Sequence, residues 1–558
     1  MNYKSRTFAA MKRLILLSIL FLLCSVARLT AQPKYEVRAV WLTTIGGIDW
    51  PRSYAHDGIG IAEQKRQFID ILDRLQQVGI NTVLLQTRVR ATTIYPSETE
   101  PWDGCMSGKP GKSPGYDALQ FAIDECHRRG MELHAWVVTI PVGKWTSYGC
   151  QQLRKRYPKI IMKLGDEGYM NPEAILTADY IAEICEEITK RYDIDGIHLD
   201  YIRYPETWKG KKSPENITRI VRRVHQSVKR NKPWVKISCS PIGKYDDLSR
   251  YSSKGWNARR QVAQDAQRWL HQGLMDQLYP MMYFQGNNFY PFAIDWQENS
   301  FGRPIAAGLG VYMLHPKERN WPLDEVQRQL NVTRQIGMGH CYFRAKFLLD
   351  NVKGVYDLVH DFDRQPALVP PMTWTKIPAP MAPKVLEVRH TIRGDEVAWS
   401  GAKDLSQGPY LLYNVYASEE YPVDTDDPAN LIAIRLPGTS LTANEVSGAR
   451  RPLKYAVTAV DRYGNESEAT QEPIWSTALP AAFIPNDGRT LKVTQKNDSE
   501  FLAVLTMQGN IVYSCRNQAQ INIQKLSDGV YELRSLNKKG IMHRLGFFII
   551  KRNQPWKK

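Results

Sequence analysis

The 558-residue sequence is poor in the groupings that mark a metal centre, a disulfide scaffold or a nucleotide site. Beyond residue 31 it holds seven cysteines, at 105, 126, 150, 185, 239, 341 and 515. The count is odd, and no CxxC pair or Cys/His cluster occurs, which points to neither a zinc site nor a disulfide framework. Cys185, Cys239 and Cys341 lie in apolar runs, where a free thiol packs as a small hydrophobe; a Cys105–Cys150 bridge between two loops stays open. No glycine-rich phosphate loop follows the first strand-like run, and no Asp/His/His spacing recurs at strand ends, so neither a metal nor a cofactor is expected. No window after residue 31 is long and apolar enough to cross a membrane. The net charge of +17 falls to +12 once the five basic residues of 1–31 are set aside, and the remainder is scattered in pairs such as Arg128-Arg129 and Lys538-Lys539. With no basic arm and no recognition motif, nucleic acid is not the expected partner, and nothing implies a protein partner.

What the chain does have begins at its amino end. Lys4, Arg6, Lys12 and Arg13 precede an apolar run from Leu14 to Cys24, and Leu29-Thr30-Ala31 sets a small residue before Gln32. That order predicts a signal peptide over 1–31, with export to the periplasm, the cell surface or the medium. From Tyr35 to Phe362 strand and helix patterns alternate without a break. Strand-like runs fall at 37–44, 82–88, 132–139, 194–201, 235–242, 276–284, 304–312 and 340–347, with helical periodicity between them at 62–78, 118–129, 175–192, 215–230, 259–272 and 323–337. Eight strands, each followed by a helix, predict a (β/α)8 barrel over 35–362.

Proline recurs six times between 363 and 383, which reads as an extended, stiff linker. Beyond it helical periodicity disappears, and short alternating strands over 384–478 and 484–558 predict two small all-β sandwich domains. The stretch 454–461 followed by Tyr463-Gly-Asn465, with Trp399 upstream, resembles the late strand and turn of a fibronectin type III domain. The stretches 529–534 and 546–551 resemble the sorting tails of some exported bacterial proteins.

The run Gly196-Ile-His-Leu-Asp-Tyr-Ile-Arg-Tyr-Pro205 ends an apolar strand in a carboxylate, Asp200, ringed by aromatics and an arginine. Chemistry in a parallel barrel sits at the carboxyl ends of its strands. Alternation gathers Gln86, Arg88, His134, Trp136, His198, Asp200, Tyr279, Met281, Tyr283, Tyr342 and Arg344 toward the barrel interior at that end. Trp50, Trp102, Trp145 and Tyr204 follow in loops, where exposed rings would stack on the C–H faces of sugars.

Val37-Arg-Ala-Val-Trp-Leu-Thr43, Asn81-Thr-Val-Leu-Leu-Gln-Thr-Arg88, Leu133-His-Ala-Trp136, Ser240-Pro-Ile-Gly243 and the 196–205 run together resemble the glycoside-hydrolase-like 10 family of bacterial envelope proteins, over roughly 35–360. The resemblance implies a barrel glycosidase acting on glycan strands, with peptidoglycan the associated substrate class and Asp200 in the position of the strand-four aspartate. Two departures stand out: Tyr201 occupies the place where some relatives carry a second acid, and Ala135-Trp-Val-Val-Thr139 replaces an expected AWxNP stretch.

The expected catalytic residue is therefore Asp200, as proton donor or stabiliser of the oxocarbenium-like state. The expected substrate-binding residues are Trp41, Arg88, His134, Trp136, His198, Tyr201, Arg203, Tyr204 and Tyr283. Most glycosidases use two carboxyl groups; the loops offer Asp49, Glu167, Glu206, Asp246 and Asp247 for the second, and a substrate acetamido group is an alternative nucleophile. Asp195 starts the fourth strand, about 17 Å from Asp200, and belongs to the far face. A non-catalytic carbohydrate-binding barrel and hydrolysis of a non-peptidoglycan polysaccharide remain the competing readings.

Overall fold

The computed structural model describes residues 32–551 apart from 252–254, 385, 392–393, 444–452, 473, 476–483, 494–498 and 508. The expected signal peptide lies outside the described residues. Eight parallel strands form the barrel: β1 (Arg38–Leu42), β2 (Thr82–Arg88), β3 (Glu132–Val138), β4 (Gly196–Asp200), β5 (Lys236–Cys239), β6 (Gln277–Leu278), β7 (Ala306–Leu309) and β8 (Gly339–Tyr342). They are ordered β7-β8-β1-β2-β3-β4-β5-β6, and parallel bridges Leu278↔Ile305 and Met281↔Gly308 close the ring between β6 and β7. The ladder of β6 is short because Pro280 has no N–H to contribute, so the expected strand over 276–284 is paired only at 277–278 and at Met281.

Helices α1 (Gly58–Gln77), α2 (Ala118–Arg128), α3 (Ile175–Arg191), α4 (Pro214–Asn231), α5 (Ala266–His271), α6 (Tyr290–Glu298), α7 (Leu323–Gln335) and α8 (Val355–Phe362) surround the strands. Asp57 and Asp117 cap α1 and α2 by accepting from Gly60 N and Gln120 N. The helix expected over 259–272 is instead broken at Ala263, which takes φ 56°. The buried Gln264 side chain explains the break: it accepts from Ile242 N at 3.0 Å and donates to Ile202 O at 3.3 Å, drawing this segment into the barrel wall.

Large and small side chains alternate across the barrel interior. Trp41, Trp136 and Tyr279 fill it, and room is made by Ala306 and Gly308 of β7 and by Gly310 just after it. A Cβ at Gly308 would come within 3.0 Å of the Trp41 ring, and one at Gly310 within 3.1 Å of Tyr283. Gly196 likewise makes room for His134, whose Nδ1 lies 2.6 Å from where a Cβ would stand.

Between β3 and α3 the chain builds a three-stranded antiparallel flap, Pro141–Lys144, Ile161–Leu164 and Glu167–Met170, with the last strand in the middle. The flap stands at the carboxyl end of the barrel.

The proline-rich segment packs across the opposite end of the barrel. Glu36 N donates to Leu368 O and Leu368 N to Lys34 O, Val369 packs against the barrel interior, and Trp374 Nε1 donates to Asp276 Oδ1 at 3.1 Å. Two antiparallel sheets follow, one of three strands (Leu386–Thr391, Gly394–Trp399, Ser440–Ala443) and one of four (Leu431–Leu436, Leu412–Ser418, Lys454–Val460, Thr470–Gln471). Their shared core includes Trp399, Val415 and Val457. The last part forms a five-stranded and a two-stranded sheet around Leu491, Leu502, Leu533 and Phe548.

Arg435, with φ 54°, reaches from the first of these β-domains into the amino end of the barrel. It donates to Glu132 at 2.7 Å and Asp195 at 2.6 Å. Lys236 meets Glu132 at 2.6 Å and His127 meets Asp195 at 2.8 Å, completing a buried charge network on the face away from Asp200.

Candidate active site

A cavity of about 490 Å³ opens at the carboxyl ends of the strands. Asp200, the last residue of β4, stands on its wall, and both its oxygens are held. Trp136 Nε1 donates to Oδ2 at 3.1 Å, while Ser240 Oγ at 2.8 Å and the Tyr201 N–H at 2.7 Å bond Oδ1. The indole and the peptide N–H can only donate, so each oxygen already accepts from a group that offers nothing back. Tyr201 achieves this with φ 54°, a left-handed conformation uncommon for an aromatic residue.

Glu167 is the other carboxylate on the cavity wall. It starts the central strand of the flap, and Tyr169, two residues on and so on the same strand face, lines the cavity beside it. Gly168 between them is pressed against its neighbours: a Cβ there would lie 2.6 Å from Cys150 Sγ and 2.9 Å from Val142 Cγ2. Of the other loop carboxylates, Asp49 is committed elsewhere. It accepts from Thr43 N and Oγ1 and pairs with Arg344; burial raises its carboxyl above the ordinary range against the pull of Arg344. Glu206 pairs with Arg203 at 2.8 Å and bonds the Tyr201 hydroxyl. Asp246 pairs with Arg259 and Arg260. None of these, nor Asp247, lines the cavity.

Trp41, Trp136, Tyr201, Arg203 and Tyr283 line the cavity with Asp200, as do Gln86, Met281 and Arg344. The Arg203 guanidinium lies 3.7 Å over the Tyr201 ring, and Tyr283 packs on Phe343. His198 lies one layer below. Trp41 Nε1 donates to its Nε2 at 3.2 Å, so the proton sits on Nδ1, which faces Ser238 Oγ at 3.0 Å. Burial, helped by the nearby His134, holds its pKa well below the ordinary histidine value, so it is neutral. It supports Trp41 and does not reach the cavity.

Besides His198, three more of the expected residues stand outside the cavity. Arg88 is fully buried outside the cavity, bonded to Glu100 at 2.8 and 2.6 Å and to the carbonyls of Val138 and Thr139. A register shift between Gln86 and Arg88 in the β2–β3 ladder breaks the alternation that would have turned it inward. His134 is inside the barrel but too deep, bonded to Glu132 at 3.1 Å near the amino end. Tyr204 lies beyond the end of β4, where alternation no longer applies; it packs on Trp208 and its hydroxyl accepts from Asn216.

On β8 the inward phase belongs to Cys341 and Phe343, and Tyr342 faces the helices. The loop tryptophans are not exposed platforms: Trp50 is buried against Phe68, Trp102 packs on the core, and Trp145 is covered by the Arg154 guanidinium at 3.8 Å. Cys105 and Cys150 are free thiols, so the bridge between them is not formed.

Glu167 carried a sequence signal. Ile161–Leu164 and Glu167–Met170 are joined by two residues, Gly165-Asp166, a hairpin pattern that places Glu167 and Tyr169 on one face. Ser240, at the end of β5, is the other contributor that alternation with Ser238 could have reached.

The glycosyl hydrolase-like 10 family model matches residues 36–215 and 207–303. Glycosyl hydrolase YngK of Bacillus subtilis (strain 168) is 29% identical over 487 residues, spanning 79% of this chain and 94% of that protein. Glycosyl hydrolase DigH of Escherichia coli (strain K12) is 31% identical over 295 residues, spanning 46% of this chain and 67% of that protein. Among solved structures, the PgaB (BpsB) glycoside hydrolase domain of Bordetella bronchiseptica is similar at 13% identity and a TM-score of 0.42, covering 58% of this chain and 98% of that one. The family-model match and the likeness to DigH establish that the chain belongs to the glycosyl hydrolase-like 10 family.

Proposed function

We propose that the protein is an exported glycoside hydrolase that cleaves an amino-sugar-containing glycan of the peptidoglycan type, with Asp200 and Glu167 as its carboxylate pair. The observation that carries this reading is that, among the described residues, Asp200 and Glu167 are the acidic side chains lining the cavity at the carboxyl ends of the strands. Asp200, bonded on both oxygens by donors, is suited to remain an anion beside the positive charge that develops at the sugar carbon. Glu167, on the flap, is suited to give the glycosidic oxygen its proton. Trp41, Trp136, Tyr201 and Tyr283 offer ring faces and edges to the pyranose, and Arg203 and Arg344 fix its substituents.

Export through residues 1–31 is part of the same proposal. The β-domain after the barrel, with its three- and four-stranded sheets around Trp399, fits a fibronectin type III-like module docked against the barrel through Arg435. The test is incubation of the mature chain with purified sacculi and with neutral polysaccharides. New reducing ends from sacculi support the reading; release only from the neutral polysaccharides corrects the substrate, and binding with no release from either refutes catalysis.

A further inference from the structure

The cavity does not end at Arg90. A second hollow of about 210 Å³ shares Ile45 and Arg90 with it, and a third of about 560 Å³ shares Tyr148 and Gly149 with the second. The three adjoin one another as a groove along the segments after β2 and β3, including the helix Tyr148–Arg156, on one side of the candidate active site. Four cations stand along it, Arg90, Lys144, Lys155 and Arg156, with the acids Glu98, Glu100 and Asp103, of which Glu100 is paired with Arg88 and Asp103 accepts from Thr92 Oγ1 and Cys105 N. None of the four cations forms a salt bridge among the described residues, and Arg156 donates only to Thr99 O, at 3.3 Å. The hydroxyl of Ser147 is buried on the groove wall without a partner. Tyr148 is 42% exposed between the second and third hollows. Its ring packs closely on Gly111, where a Cβ would come within 2.9 Å of it.

An unpaired row of cations, a fixed exposed ring and an unpartnered hydroxyl, continuous with a sugar-sized cavity, match one occupant. We infer that the groove binds the uncleaved arm of a linear, carboxylate-bearing glycan, several sugars long. Tyr148 stacks on one ring of that arm, and Lys144 and Lys155 face its negative charges. This rests on the glycosidase reading and adds to it that cleavage is internal to a long strand.

The test uses the mature chain and sacculus glycan strands freed of peptide and separated into short fragments and long strands. The wild type cleaves long strands with the higher kcat/KM, and added salt narrows the difference because the cations are exposed. Lys155→Glu with Arg156→Glu, both exposed, lowers kcat/KM on long strands roughly tenfold and leaves short fragments unchanged; Tyr148→Ala acts in the same direction. Equal cleavage of long and short strands by the wild type, or equal losses on both in the variants, overturns the groove while the glycosidase reading stands. Failure to bind or cleave strands of any length overturns both.

Discussion

The indole N–H of Trp136 donates to Asp200 Oδ2 at 3.1 Å, from the neighbouring barrel strand and inside the same cavity. Trp136→Phe removes this donor together with the pyrrole half of the indole that lines the cavity. A hydrogen bond to a charged group contributes about 1.5–3 kcal/mol, so kcat is expected to fall ~10–100-fold, with KM rising as well because the smaller ring offers the sugar less surface. Steady-state kinetics on a glycan substrate checks this; an unchanged kcat would remove the indole from the account of Asp200.

Glu167 is held where it is by the flap, and the flap depends on Gly168. Gly168→Val forces the central strand away from Cys150 and Val142. The overpacking is expected to cost about 1–3 kcal/mol, read as a lower Tm, with a larger fractional loss of kcat because Glu167 moves with its strand. Gly168→Ala does less, and adding Cys150→Ala to it, which removes the nearer obstacle, recovers part of the activity.

Arg435 neutralises Glu132 and Asp195 at the closed end of the barrel. Arg435→Leu leaves two buried carboxylates short of a partner and is expected to destabilise by about 3–5 kcal/mol, reduced to the extent that Lys236, His127 and Arg462 take up the charge. Thermal unfolding measures it. The cavity lies at the other end, so kcat at a temperature where the variant is folded should match the wild type.

Stability should fall with acid in two stages. The native His198 has a pKa well below its unfolded value of about 6.5. Below that pH the unfolded chain therefore takes up a proton that the native chain refuses, and stability declines by up to ~1.4 kcal/mol per pH unit. Burial alone would raise Glu132, but Lys236, the His134 hydrogen bond and Arg435 hold it down at about 2; Asp195 is likewise lowered, chiefly by Arg435 against its burial. Their stabilisation is complete above the unfolded carboxyl values and is lost as pH falls toward about 2. Denaturant melts across pH, with His198→Gln flattening the decline that begins near pH 6.5 (about the unfolded histidine value), check the assignment; parallel profiles would refute it.

Much of this arrangement is legible in the sequence because a barrel strand repeats every two residues. That period places Trp41, Gln86, Trp136, Asp200, Met281 and Tyr283 on one face without knowledge of their neighbours. It fails where something local breaks it. The irregularity before Arg88 shifts the phase by one residue, and on β8 the chosen phase turned Tyr342 inward where Cys341 and Phe343 belong. Alternation also gives a face but no depth, so His134 and His198 read like Asp200 although they lie in lower layers. Glu167 is named in the sequence only as one of five loop candidates for a different reason: its strand belongs to a small flap, and only the Gly165-Asp166 hairpin sets it apart from the other four.

The central claim is that Asp200 and Glu167 together cleave a glycosidic bond. The most direct measurement is reducing-end release from sacculus glycan strands by the wild type, Asp200→Asn and Glu167→Gln, each shown folded by an unchanged thermal transition. The account predicts release by the wild type and loss of at least about a hundredfold in both variants, as expected when either of two carboxylates is neutralised. Wild-type rates in Asp200→Asn would contradict it.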